Sequence, residues 1–260
     1  VYVSVIFNGS VNCDGTVFTS SENINALLIK MNQNGEVQWS VTYLSNGSGR
    51  SRINIDENSN VYLISKSSRL LKYNSVGELV SEKEFLDGTL RSICIDGSVI
   101  YIAGKVVSVN TSFGSINFST LGSGFIVKSD LNDNYNGSYE LANTDSFIGD
   151  VVADGDHNLI ITGYFNGHLD IGSSSFDGKS TFIAKCDADF NFSWEKVSTN
   201  LSNAPLNFRL YVCNDTIYQY APVQNNHFEF GTIQVNTSHT SGECYVLKLD
   251  SNGDAVSAAQ

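Results

Sequence analysis

Val151-Val-Ala-Asp154, Leu159-Ile-Ile-Thr-Gly163, Thr181-Phe-Ile-Ala-Lys185 and Asp187-Ala-Asp-Phe-Asn-Phe-Ser-Trp194 are four short runs rich in β-branched and aromatic residues, parted by Asp, Asn and Gly. Such runs read as strands joined by turns, because Asn, Asp and Gly tolerate the positive φ that tight hairpins require. The third run returns as Ala26-Leu-Leu-Ile-Lys30, Arg69-Leu-Leu-Lys72, Gly124-Phe-Ile-Val-Lys128 and Cys244-Tyr-Val-Leu-Lys248. The fourth returns in Asn32-Gln-Asn-Gly-Glu-Val-Gln-Trp39, Asn74-Ser-Val-Gly-Glu-Leu-Val80 and Asp250-Ser-Asn-Gly-Asp-Ala-Val256. The first two recur as Ile53-Asn-Ile-Asp56 with Val61-Tyr-Leu-Ile-Ser65, Ile93-Cys-Ile-Asp96 with Ile100-Tyr-Ile-Ala-Gly104, and Leu210-Tyr-Val-Cys-Asn214 with Ile217-Tyr-Gln-Tyr220. Between second and third runs, Phe113-Gly-Ser-Ile116, Ile171-Gly-Ser-Ser174 and Phe230-Gly-Thr-Ile233 share a pattern continued by Asp14-Gly-Thr-Val17.

A repeat of about 50 residues built from four antiparallel strands, with no helical periodicity, has the size of a propeller blade. The expected fold is therefore all-β, a β-propeller of five four-stranded repeats in one domain, 1–260, with blades near 1–49, 50–90, 91–147, 148–204 and 205–260. The run Asn158 to Gly167, then Leu169-Asp-Ile-Gly172, Thr181 to Asp187 and Trp194, resembles the SBBP-type β-propeller repeat of cell-surface and secreted proteins. The resemblance covers nearly the whole chain and is weakest in the second repeat, where Ser65-Lys-Ser-Ser68 reduces the linker to a tight turn. It implies a fold and an extracellular or cell-surface location, and no active-site residues.

Val1-Tyr-Val-Ser-Val-Ile-Phe-Asn-Gly9 matches the second strand of the fourth repeat, so the first repeat lacks its innermost strand. Three readings are open: residues ahead of Val1 were removed, three strands suffice, or another subunit donates a strand and the protein self-assembles into a filament. A start at Val1 rather than Met points to a mature form or an excised fragment.

Composition narrows the partners. The chain has 260 residues, 16% charged, with a formal net charge of −12. An acidic surface repels phosphate backbones and anionic lipids, which excludes nucleic acid as a natural partner. No apolar run is long enough to span a bilayer, so membrane insertion is not expected. The partners expected are the chain itself, other surface proteins, or glycans. Five cysteines (Cys13, Cys94, Cys186, Cys213, Cys244) show no C-x-x-C spacing and read chiefly as buried thiols, with one or two disulfides left open. Nine Asn-x-Ser/Thr sequons start at Asn8, Asn46, Asn110, Asn117, Asn136, Asn191, Asn200, Asn214 and Asn236, a modest excess over chance that fits a glycosylated extracellular chain.

Three kinds of site chemistry are worth weighing. Asp56, Asp96 and Asp154, with Asp156 nearby, stand at the ends of the innermost strands, where paired carboxylates would serve a polysaccharide-acting glycosidase. Their recurrence in successive repeats instead reads as turn formation, since an active site breaks repeat symmetry. Asp154-Gly-Asp-His-Asn158 and Asp250-Ser-Asn-Gly-Asp254 place oxygens at alternate positions, making Asp154, Asp156, Asp250, Asn252 and Asp254 candidate calcium ligands, without the glutamate of an EF-hand. His157, His168, His227 and His239 have no metal spacing, and no nucleophile elbow accompanies them. The recurring lysines read as solvated strand ends, and Trp39 and Trp194 as packing between blades. The expected function is a non-catalytic structural or adhesive module without a required cofactor, calcium aside. A lectin and a glycosidase are the alternatives.

Overall fold

A computed structural model describes residues 1–20, 25–45, 51–66, 68–85, 88–108, 111–141, 144–199, 207–223, 228–235 and 243–259. Every regular element among them is a β-strand. The first repeat contributes β1 (Tyr2–Phe7), a hairpin of β2 (Ser10–Cys13) and β3 (Thr16–Thr19), then β4 (Asn25–Met31) and β5 (Val37–Leu44). The second is β6 (Arg52–Ile55), β7 (Val61–Ser65), β8 (Arg69–Tyr73) and β9 (Leu79–Glu84). The third is β10 (Gly88–Asp96), β11 (Val99–Val106), the hairpin β12 (Ser112–Phe113) and β13 (Ile116–Asn117), β14 (Gly124–Asp130) and β15 (Tyr135–Leu141). The fourth is β16 (Thr144–Ala153), β17 (Leu159–Ile171), β18 (Ser174–Cys186) and β19 (Phe192–Thr199). The fifth is β20 (Arg209–Cys213), β21 (Thr216–Val223), the hairpin β22 (Phe228–Phe230) and β23 (Ile233–Val235), β24 (Glu243–Leu249) and β25 (Ala255–Ala259).

Four repeats form antiparallel meanders in the order inner to outer, β6-β7-β8-β9, β10-β11-β14-β15, β16-β17-β18-β19 and β20-β21-β24-β25. The first repeat forms a three-stranded sheet, β1-β4-β5, in keeping with an absent innermost strand. The chain divides into two compact units, Val1–Leu86 and Asp87–Gln260.

The inner strands β10 and β16 each contain a β-bulge, between Leu90 and Ser92 and between Ile148 and Asp150. Gly104 and Gly163, within the second strands, face these bulges. A Cβ on Gly104 would lie 2.1 Å from the Thr89 carbonyl oxygen, and one on Gly163 2.1 Å from that of Phe147. Only glycine admits so close a backbone.

Within each unit, apolar cores lie between neighbouring sheets. In the first unit Ala26, Leu28, Val61, Leu63, Leu71 and Tyr73 pack together. In the second, one core joins the third and fourth repeats through Ile126, Ile148, Ile161, Phe165 and Phe182, and another joins the fourth and fifth through Ile160, Ile183, Phe208, Leu210 and Leu247. Each fully buried Val, Leu, Ile or Phe among them contributes about 1.5–3 kcal/mol relative to exposure. β7 is buried along its whole length rather than alternating.

Candidate functional site

The turns joining first to second and third to fourth strands fall at one end of each sheet, and seven of them are the same five-residue loop. In the loops starting at Asn32, Asp56, Asn74, Asp130, Asp154, Asp187 and Asp250, the first residue's N–H donates to the fifth residue's carbonyl, and the fourth residue's N–H returns to the first carbonyl. The Oδ1 of each first residue accepts the N–H groups of the third and fifth. This is an Asx turn, which satisfies backbone donors that a tight loop leaves without ladder partners.

First and fifth side chains are complementary as well. Asn32 and Asn74 donate Nδ2 to Glu36 and Glu78. Asp56, Asp130, Asp154 and Asp187 accept instead from Asn60, Asn134, Asn158 and Asn191. One amide meets one carboxylate in each case. The loop at Asp250 has a carboxylate at both positions, and there Asp254 turns to Lys196 Nζ at 2.7 Å.

The candidate calcium ligands fall inside this scheme. Asp154 Oδ1 accepts from the N–H groups of Asp156 and Asn158, each at 2.9 Å, while Oδ2 meets Lys185 Nζ at 2.7 Å. Burial pushes the Asp154 carboxyl up, and Lys185 with the two amides outweighs it and holds the group below the ordinary aspartate range. Asp156 is exposed, as are Asn252 and Asp254. Asp250 Oδ1 accepts from Asn252 and Asp254, each at 2.9 Å. Among the described residues no three His, Cys, Asp or Glu side chains converge as metal ligands would.

Two expectations are corrected. Asp96 is no Asx-loop residue: a two-residue turn with Gly97 at φ 56° joins β10 to β11, and the Asp96 carboxylate reaches across to His157 Nδ1 at 2.8 Å. That contact raises the His157 imidazole's affinity for its proton, although the ring is 76% exposed. The recurring lysines are not merely solvated ends. Lys30 Nζ donates to the Ser75 carbonyl, Lys128 Nζ to the Ala188 carbonyl and Asp189, and Lys185 pairs with Asp154. Lys30 and Lys128 reach a turn of the next repeat and Lys185 a turn of its own, so each stem packs while its head finds acceptors.

Trp39 and Trp194 do pack between repeats, by one device. Trp39 Nε1 donates to the Ser75 carbonyl and its ring covers Gly77, the fourth residue of the loop in the second repeat. Trp194 Nε1 donates to the Ser251 carbonyl and covers Gly253 of the loop in the fifth. Gly77 and Gly253 have φ of 87° and 77°, and a Cβ on either would enter the indole at 2.8 and 2.7 Å. Between the third and fourth repeats the parts are exchanged. Gly137 pairs with Lys128 as Trp39 does with Lys30, and the loop offers Phe190, held at φ 64°, whose ring lies against Gly137 and Tyr139.

The residue that sequence reasoning passes over is Asp150. Only 5% exposed on inner strand β16, it accepts Ser92 Oγ from β10 on Oδ1 at 2.5 Å and the Leu210 N–H from β20 on Oδ2 at 2.8 Å. It thus ties three successive inner strands. The signal is a lone charge inside the apolar run Phe147-Ile-Gly-Asp-Val-Val152.

The sequon asparagines Asn8, Asn117, Asn136, Asn191 and Asn214 are all exposed, and Asn46, Asn110, Asn200 and Asn236 lie outside the described residues, as do His227 and His239. His168 stands on the β17–β18 hairpin between Asp177 and Asp170, which raise its proton affinity. All five cysteines are free. Cys94 and Cys186 are buried, and burial pushes both thiols up to about 12.

No protein-family model and no curated protein matches the chain. Among solved structures it is similar to the Pan2 WD40 domain of Neurospora crassa, with a TM-score of 0.53 and 13% identity, over 97% of this chain and 64% of that one. The chain thus spans less than two thirds of that domain's length. BamB from Moraxella catarrhalis is also similar, with a TM-score of 0.48 and 12% identity over 98% of this chain and 79% of that one. At 13% identity the likeness to the WD40 domain is one of fold, and the fold is a β-propeller.

Proposed function

We propose that this chain is a non-catalytic interaction module of SBBP type, carried on five propeller repeats and belonging to a secreted or cell-surface protein. The observation that carries this reading is the use made of the acidic side chains. The carboxylates at the ends of the inner strands, which a glycosidase would need as acid and base, are engaged: Asp56 and Asp154 by amides and a lysine in loops that repeat, and Asp96 by His157. Asp150, a further carboxylate outside the repeating loops, is buried among backbone and hydroxyl donors. Five exposed sequon asparagines support the extracellular location. Carbohydrate recognition is the second reading, favoured by Tyr211, 64% exposed and directly opposite Tyr218 in the β20–β21 ladder, a pair of rings suited to stacking on a sugar.

The test is a binding assay on intact cells and a glycan array, with a reducing-sugar assay on every glycan bound. Saturable cell binding that is lost when surface proteins are removed by mild proteolysis supports the module. Binding that survives proteolysis and follows glycans assigns the lectin reading, and sugar release overturns both.

A further inference from the structure

The linker between second and third strands of the fifth repeat does more than connect them. As β22–β23 it folds onto the outer edge of β19, extending the fourth sheet to six strands, with Ser198 paired to Phe230 and Thr199 to Glu229. Phe230 is 2% exposed there. In register terms Trp39 opposite Lys30 corresponds to Trp194 opposite Lys185, so Tyr43 and Leu44 of β5 stand where Ser198 and Thr199 receive that strand. The second repeat has no such linker: Ser65 pairs directly with Arg69, and β5 is the terminal strand of its sheet.

A groove lies at this place. It holds about 200 Å³, with Tyr43, Leu71 and Tyr73 as a buried floor and Leu44 and Leu79 at the walls, 38% and 51% exposed. Arg69, paired with Glu82 at 2.5 Å and Glu84 at 3.1 Å, forms its polar rim. The volume exceeds the roughly 30 Å³ share of one water and falls short of the ~300–1,000 Å³ of small-molecule sites. It suits an amino-acid side chain.

We propose that this groove is a strand-docking site for an extended segment of a partner polypeptide. The segment adds to the outer edge of β5 and places one aromatic side chain in the groove, as Phe230 does within the chain. Main-chain hydrogen bonds supply affinity and the groove supplies selection. A rim of Arg69 and Glu82, with Glu84 paired to the same arginine, on a chain of net charge −12, favours a neutral or basic segment. This inference rests on the interaction-module reading and names its partner class.

The probe is a fluorescent peptide of the chain's own residues 228–235, Phe-Glu-Phe-Gly-Thr-Ile-Gln-Val, titrated with the whole chain. Saturable binding is expected, weakened about tenfold or more by Leu79→Glu in the protein and by Phe230→Ala in the peptide, and strengthened by Glu229→Lys in the peptide. Leu44→Pro, which removes a strand-edge N–H, acts in the same direction. If that variant misfolds, Leu79→Glu, on an exposed outer strand and checked by its melting temperature, decides alone. Absence of saturable binding, or binding indifferent to Leu79→Glu, overturns the proposal. So does a concentration-dependent dimer that Leu79→Glu dissolves, which would assign the groove to a second copy. Cell binding unchanged by Leu79→Glu overturns this inference and leaves the module standing, whereas no cell binding at all removes the module itself.

Discussion

Asp150 holds three inner strands through two acceptors, and its removal leaves the Ser92 hydroxyl and the Leu210 N–H buried without it. An orphaned buried donor costs about 1–3 kcal/mol, so Asp150→Ala is expected to lower stability by roughly 2–4 kcal/mol in urea denaturation. Ser92→Ala removes one donor and leaves the carboxylate its backbone partner, so its cost should be smaller, about 1 kcal/mol. A loss for Asp150→Ala no greater than that for Ser92→Ala would show that the bridge does not join the strands. Nothing in the neighbourhood of Asp150 in sequence announces its partners, which are about sixty residues away on either side. Asp56 and Asp154 were legible because an Asx turn closes within five residues. Asp96 misled, because its Gly97-Ser98 turn is complete without a side-chain acceptor.

The loop and the outer strand of the preceding repeat form the recurring joint, with an aromatic on one side and a glycine on the other. Gly253→Ala is expected to destabilise by about 1–3 kcal/mol, combining strain at φ 77° with a Cβ 2.7 Å from the Trp194 ring. The exchanged joint offers a sharper measurement. Gly137→Trp alone should destabilise, because Phe190 already occupies the space, and adding Phe190→Gly should restore stability by rebuilding the Trp194–Gly253 arrangement. A double-mutant cycle reads this as a coupling of about 0.5–3 kcal/mol, and additive losses would refute it. The tryptophans could be placed in the sequence as packing residues. The exchange could not, since Gly137 lies in an Asn-Gly-Ser sequon and Phe190 in a turn, and neither pattern names a partner in the next repeat.

Across the molecule the loops couple stability to acid. Hydrogen bonds from Asn134 hold Asp130 below its ordinary value of 3.8, those from Asn191 hold Asp187 there, and Lys185 and neighbouring amides do the same for Asp154 against the effect of burial. A carboxylate bound more weakly to its proton in the folded state stabilises that state above the unfolded pKa. Its contribution fades as pH falls through the folded pKa, so thermal stability should decline below about pH 3.8. Asp130→Asn should blunt the decline, and a melting temperature flat across that window would contradict the assignment. Because amides and lysines occupy the same oxygens, neither calcium nor chelator should shift the melting temperature; a rise with calcium would reopen the Asp250–Asp254 loop, which pairs two carboxylates. Strand periodicity, turn chemistry and a repeat of about 50 residues are local properties, and they carried the reading from sequence to an all-β propeller with a three-stranded first sheet. The bulges facing Gly104 and Gly163, the bridge at Asp150, the exchanged joint and the groove left where the second repeat lacks a hairpin all depend on residues brought together from different repeats. Packing selects those partners, and a one-dimensional pattern records the side chain without recording what it will meet.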